Sequence, residues 1–188
     1  CRLCNSNKLV LTIPIGSTPV SDKYSSEKNS EPEDPLVPLD VYMCTECGHV
    51  QILHVVNPDI LWDSYHFKTS RNPKLCNHYS NFVDEVIQTA TRINSNFHLD
   101  IGSNDGTLIN LFMEKKFTSI GVECAREIAE EANSKGFKTI VAYMDTKTAE
   151  HIHKSYGLVD VITANNVYAH IDDMDSLTNS IRSLLSEN

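Results

Sequence analysis

From Asn96 onward, short apolar runs alternate with longer stretches in which apolar positions recur every three or four residues. The short runs, Phe97 to Ile101, Ser119 to Glu123, Thr139 to Tyr143 and Val159 to Ala164, have the length and composition of strands. Between them, Thr107 to Lys115, Arg126 to Lys135 and Lys147 to Ser155 carry helical periodicity, and Ser176 to Leu185 closes with an amphipathic helix. Such alternation predicts a parallel sheet with helices on both faces. Upstream, a turn-rich piece from Asp63 to Pro73 leads into a helix whose Tyr79, Phe82, Val83, Val86, Ile87 and Ala90 share one face. The first 60 residues follow neither period. They hold short β-like runs such as Val41-Tyr42-Met43 and a stretch from Ser25 to Pro38, rich in proline and acid, that predicts an exposed loop. The pattern therefore divides the chain into a module at 1–60, a linker and helix at 61–95, and an α/β domain at 96–188.

Composition narrows this picture. A hydrophobic fraction of 40% with 22% charged residues is that of a globular protein. No apolar run approaches the roughly 20 residues that span a bilayer, which predicts no membrane partner. The net charge is −9, and acids outnumber bases on both sides of Asn96, so nucleic acid is not expected as a partner. The chain opens on Cys1 rather than Met, which predicts that residues precede it.

Four of the six cysteines form two pairs, Cys1-x-x-Cys4 and Cys44-x-x-Cys47. Two such pairs supply four thiolates, the ligand set of a closed, structural tetrahedral Zn²⁺ site, with iron–sulfur ligation as the alternative that nothing else in the chain suggests. This usage points to metal rather than disulfides, and to a reducing, cytoplasmic compartment. His49 and His54 stand close enough in sequence to replace a cysteine, although four thiolates already suffice. Cys76 and Cys124 lack partners at motif spacing and read as small buried side chains.

The first strand of the α/β domain ends in Asp100-Ile101-Gly102-Ser103-Asn104-Asp105-Gly106. Glycines there let the backbone turn tightly and approach a ligand without a Cβ clash, at the carboxyl end of a strand where open α/β sheets bind. Glu123 ends the second strand about twenty residues on, where an acid holds ribose hydroxyls. A nicotinamide domain places glycines and an acid similarly, but its Gly-x-Gly-x-x-Gly is absent. The loop predicts an adenosyl cofactor. Beyond the fourth strand come Asn165, Asn166 and His170, at the same edge of the sheet.

Taken together, Cys1-Arg2-Leu3-Cys4, Cys44-Thr45-Glu46-Cys47-Gly48 followed by Gln51, Tyr65-x-Phe67-x-x-Ser70, the glycine loop and Ala164-Asn165-Asn166-Val167-Tyr168-Ala169-His170-Ile171 resemble the sugar C-methyltransferase family. The resemblance implies a Rossmann-like class I methyltransferase sheet behind a small zinc-binding β module. It implies S-adenosylmethionine as cofactor, held by Asp100, Gly102, Asn104, Asp105, Gly106, Glu123 and Asn165, and structural Zn²⁺ on Cys1, Cys4, Cys44 and Cys47. The implied reaction is methyl transfer to carbon of a nucleotide-linked deoxy-keto-sugar. His170 would act as base or enolate stabiliser, and Tyr65 near the reacting centre. Tyr65, His78 and Asn166 would contact the sugar nucleotide. Arg71 stands where the family has glycine. The sheet stops at its fourth strand and the family's C-terminal domain is absent, so a longer polypeptide or a partner chain is expected to complete it. On that expectation this chain binds cofactor weakly and does not turn over alone. A zinc-stabilised, non-catalytic binding or assembly module is the alternative from another class, and a zinc-ribbon RNA methyltransferase is disfavoured by the charge.

Overall fold

The computed structural model describes residues 1–21, 36–62, 65–90 and 96–186. The chain forms two compact units, Cys1–Tyr65 and His66–Asn188.

In the first unit, β1 (Leu9–Ile13) is followed by the short antiparallel pair β2 (Ser17–Thr18) and β3 (Val37–Pro38). β4 (Val41–Cys44) and β5 (Val50–Ile52) follow, then the short helix α1 (Pro58–Trp62). β1, β4 and β5 make an antiparallel sheet with β4 in the middle. Pairing of Leu9 with Cys44 brings the chain's first residues beside the second cysteine pair. The pattern predicts an exposed loop reaching Pro38, yet Val37–Pro38 pairs as a strand and Val37 is buried. Asp40 explains the closure, because its carboxylate accepts from the backbone N–H of Ile15 and Gly16 at 2.9 and 2.8 Å and draws the two stretches together. Residues 22–35 of that expected loop lie outside the described residues.

The second unit opens on a 3-10 turn at Thr69–Arg71 and the helix α2 (Pro73–Thr89). Asn72 caps α2 by accepting from Leu75 N–H, and Pro73 sits in its first turn, where a missing N–H costs nothing. Then come β6 (Phe97–Ile101), α3 (Thr107–Glu114), β7 (Thr118–Glu123), α4 (Arg126–Ser134), β8 (Thr139–Val141), α5 (Thr146–Tyr156), β9 (Val161–Thr163) and α6 (Met174–Leu184). The strands form one parallel sheet in the order β8-β7-β6-β9. Alternate residues of the central strand β6 pack on opposite faces. Phe97, Leu99 and Ile101 join Ala149 and Ile152 of α5 and Leu177 and Leu184 of α6. On the other face, Val161 of β9 joins Tyr79 and Val83 of α2 with Leu108 and Phe112 of α3. All five residues of β6 are buried, as expected of a strand covered on both sides. β8 stops at Val141, short of the Tyr143 expected. Just before β9, Val159 N–H donates to Leu184 O and accepts from Ser186 N–H through its carbonyl, a parallel bridge to the end of α6.

Candidate functional site

The strand order reverses beside β6: β7 and β8 lie to one side and β9 to the other. A crevice outside the carboxyl ends of two such strands is where open α/β sheets take their ligands. Both sequence-predicted clusters arrive there, the glycine loop after β6 and the asparagine segment after β9.

The loop is built by left-handed backbone. Gly102, Asn104 and Gly106 have φ of +71°, +49° and +81°. A Cβ on Gly102 would stand 2.7 Å from Val167 Cγ2, and one on Gly106 would meet the Phe137 ring at 2.5 Å, so glycine is needed at each for space as well as conformation. The contact with Gly102 brings the segment after β9 down onto the loop. Gly102 and Ser103 N–H both donate to Val122 O, at 2.8 and 3.1 Å, fixing the loop to β7.

Glu123 is buried at the end of β7 and accepts from Asn104 N–H through one oxygen and from Ala125 N–H through the other, both at 2.8 Å. Asp100, buried on β6, accepts from the Thr163 hydroxyl at 2.7 Å. Burial pushes its carboxyl up to about 7; the Thr163 bond opposes this and the charge of Glu123 adds to it. Burial also acts to raise Asp105, but hydrogen bonds from Ser70 and Thr107 outweigh it and hold that carboxyl below its usual range.

The side chains of Asn104 and Asp105 have a use that the sequence did not reveal. Asn104 Oδ1 accepts from Thr69 N–H at 3.0 Å and from the Thr69 hydroxyl, while its Nδ2 donates to Phe67 O at 2.9 Å. Asp105 accepts from Ser70 N–H at 3.0 Å. Lys68 pairs with Glu131 of α4. Residues 67–70 are therefore strapped across the glycine loop. The signal that could have found this strap is Thr69-Ser70 itself, two small donors just before a helix cap.

After β9, Asn165 carries a buried Nδ2 with no hydrogen-bond partner among the described residues. Asn166 is left-handed, with φ of +56°, and turns the chain into a 3-10 turn at Tyr168–His170. His170 is exposed on that turn. His78 is exposed on α2 and stacks on Phe82, and Tyr65 packs edge-on against Trp62 in the first unit. Cys76 and Cys124 are half-buried rather than buried. Burial and the neighbouring Glu123 push the Cys124 thiol up to about 12, which leaves it un-ionised and unsuited to act as a nucleophile.

The four cysteines of the first unit converge. Their Sγ atoms lie within 4.8 Å of one another, with Cys1 to Cys47 at 3.7 Å and Cys4 to Cys44 at 3.6 Å. A tetrahedron with Zn–S bonds of about 2.3 Å has edges of about 3.8 Å, so the sulfurs are placed for Zn²⁺. The two halves share one geometry. Asn5 N–H donates to Cys1 O and Gly48 N–H to Cys44 O, both at 2.9 Å, with Asn5 and Gly48 left-handed at φ of +58° and +74°. The Cys47 backbone N–H, with further help from Glu46 and Cys4 against burial, lowers the Cys44 thiol to about 7, whereas Cys4, despite the Ser6 backbone, is raised by Cys47, burial and Cys44, so the pair favours a thiolate at Cys44 first. His49 and His54 are not in the cluster.

Residues 1–62 match a family described as "Putative zinc binding domain", and residues 73–188 one described as "Methyltransferase domain". Over 186 residues the chain is 28% identical to C-methyltransferase NovU of Streptomyces niveus, covering 99% of this chain and 44% of that protein. The chain thus spans less than half the length of the curated relative it matches. Among solved structures, a SAM-dependent methyltransferase from Anabaena variabilis is 16% identical with a TM-score of 0.47, over 67% of this chain and 50% of that one. The plantazolicin methyltransferase BpumL in complex with SAH is 17% identical with a TM-score of 0.46, over 57% and 41%.

Proposed function

The chain belongs to the methyltransferase-domain family, and from that membership we propose that it binds S-adenosylmethionine at the Gly102–Gly106 loop and serves a C-methyltransferase acting on a nucleotide-linked deoxy-keto-sugar. The observation that carries the cofactor half is the convergence, at one strand reversal, of a left-handed glycine loop, the Glu123 carboxylate and the unpartnered Asn165 amide nitrogen. A buried donor without an acceptor is costly, and a ligand in the crevice would satisfy it. Glu123 Oε2 accepts one backbone N–H, from Asn104, and keeps a lone pair for a ribose hydroxyl, whereas Oε1 accepts from both Ala125 N–H and the Cys124 thiol. The backbone of Gly102 and Gly106 lines the approach, with Asp100 buried on β6 two residues before Gly102. Asn104 and Asp105 contribute by holding residues 67–70 in place over it.

When bound, S-adenosylmethionine supplies an electrophilic methyl group on a sulfonium. The acceptor carbon must first lose a proton, most readily beside a ketone. His170 takes that proton, or donates to the enolate oxygen that results, and Asn166 orients the sugar. The Gly102–Gly106 loop, Glu123 and Asn165 would hold the S-adenosylmethionine that would supply the methyl group to that carbon. His78 contacts the sugar nucleotide in this reading. Support for carbon as acceptor is the similarity to a C-methyltransferase across almost the whole chain, together with the Asn165–His170 segment.

Calorimetry of this chain with S-adenosylmethionine and S-adenosylhomocysteine tests the first half, and binding of both is expected. Binding of neither would favour a non-catalytic module. The second half needs the whole protein and a nucleotide-linked keto-sugar. There His170→Ala should lower kcat by about 100-fold or more. Undiminished turnover sinks the role given to His170.

A further inference from the structure

Two residues before Asp100, on the same face of β6, lies His98, with no exposed surface. A fully buried histidine has to satisfy two ring nitrogens. Register provides both partners, since His98 is paired directly with Ser119 of β7, while Asp100 is paired directly with Thr163 of β9. His98 Nδ1 lies 2.7 Å from Ser119 Oγ and Nε2 lies 2.8 Å from Thr163 Oγ1, and Thr163 Oγ1 donates to Asp100 Oδ1 at 2.7 Å. Phe112 of α3 stacks on the imidazole at 3.6 Å and 16°, closing the row from above.

One hydroxyl has one proton. With the Thr163 proton given to ionised Asp100, Thr163 Oγ1 must accept from His98 Nε2–H, and the bare Nδ1 must accept from the Ser119 hydroxyl. The direction of every bond in the row is thereby fixed across three strands. Resting on the reading of Asp100 as part of the cofactor site, we propose that His98 is a positioning residue for that site: through Thr163 it fixes the orientation of the buried Asp100 carboxyl, two residues before the Gly102 turn. The charged and titratable groups facing this row are Glu123, beside Asp100, and Tyr79 of α2, whose hydroxyl is raised by burial and by the Asp100 charge. His98 touches neither cofactor nor substrate in this arrangement.

The test is ¹⁵N NMR of the His98 ring in this chain at pH 8, without ligand, beside titration with S-adenosylhomocysteine. The wild type should show N–H on Nε2 and a bare Nδ1. Thr163→Val keeps the β-branched shape but removes the acceptor, so the tautomer should invert, with Nδ1–H donating to Ser119. Affinity for S-adenosylhomocysteine should fall about tenfold, the scale of one hydrogen bond to a charged group. Thr163→Ser should restore both the tautomer and, within about twofold, the affinity. An unchanged tautomer in Thr163→Val, or a wild type protonated on Nδ1, overturns the proposal. An inverted tautomer with unaltered affinity overturns it as well, because Asp100 would then need no such support. A wild type that binds no S-adenosylhomocysteine while keeping the tautomer pattern counts against the cofactor reading and leaves the relay standing.

Discussion

Beneath the glycine loop, Gly121 of β7 leaves no room for a methyl group. A Cβ there would stand 2.2 Å from Ser103 Oγ, 2.5 Å from Ser103 Cβ and 2.7 Å from Ile109 Cδ1. Gly121→Ala should therefore cost about 1–3 kcal/mol of stability and push Ser103, hence the loop, out of place. Urea unfolding and calorimetry with S-adenosylhomocysteine check both effects; a variant as stable and as tight-binding as wild type contradicts the packing. The buried pair His98 and Asp100 makes a second prediction. Burial lowers the His98 imidazole to about 3, whereas burial, opposed by Thr163 and aided by Glu123, raises Asp100 to about 7. Unfolded, the two titrate near 6.5 and 3.9. Between about pH 4 and 6.5 the unfolded pair holds its one proton on the imidazole and the folded pair holds it on the carboxyl. Proton counts match, so the pair adds no pH slope to stability there. Asp100→Asn leaves only His98, whose unfolded form binds more protons, and stability should rise with pH from about 3 to 6.5. His98→Gln leaves only Asp100, whose folded form binds more, and stability should fall as pH rises from about 4 to 7. Each slope approaches about 1.4 kcal/mol per pH unit. Curves of variants and wild type that run parallel across this range refute the assignment.

At the scale of elements, the strap formed by residues 67–70 is fastened through side chains of the loop it covers. Asn104→Ala removes the acceptor of Thr69 N–H and the donor to Phe67 O together, at a cost of about 1–3 kcal/mol for the polar groups left unpaired. Amide exchange should then speed at Thr69 and also at Ser70, since both are held to adjacent loop residues; acceleration at Thr69 alone would show that the strap is not one piece. This element explains where the sequence was readable and where it was not. β6 could be read from Phe97, Leu99 and Ile101, apolar at alternate positions, and its neighbouring helices because burial on one face leaves a 3.6-residue period. The strap has neither signature, and its bonds join residues 35 positions apart. His98 was hidden for the same reason: its partner Thr163 is 65 positions away, and only the strand order brings them together. The cysteines and glycines were legible because chemistry fixes their spacing locally. Likewise the β2–β3 pair, closed by Asp40, leaves no pattern in a charged stretch.

Considered whole, the molecule is built on two different principles of stability. The α/β unit has two apolar clusters, one on each face of its sheet. Among the described residues, the first unit buries only Val20, Val37 and Cys44 of its apolar side chains. Such a small core needs a staple, and the four thiolates are placed to provide one through Zn²⁺. Trp62, the single tryptophan of the chain, lies in this unit against Tyr65 and serves as its reporter. Stripping metal with a chelator should shift Trp62 emission while the helical circular dichroism of the α/β unit persists. Emission that does not respond to chelation would remove the metal from the account of this unit's stability.

The likeness of the two cysteine knuckles has a consequence for how such a protein can change over generations. Each knuckle closes on itself, one through Asn5 and the other through Gly48, and the pairing of β1 with β4 brings them together. The geometry of the metal therefore asks nothing of the number of residues between β2 and β3. Apart from buried Val20, that interval is a place where sequence can lengthen, shorten or drift while the sulfurs keep their positions, so that novelty can accumulate there at no cost to the metal.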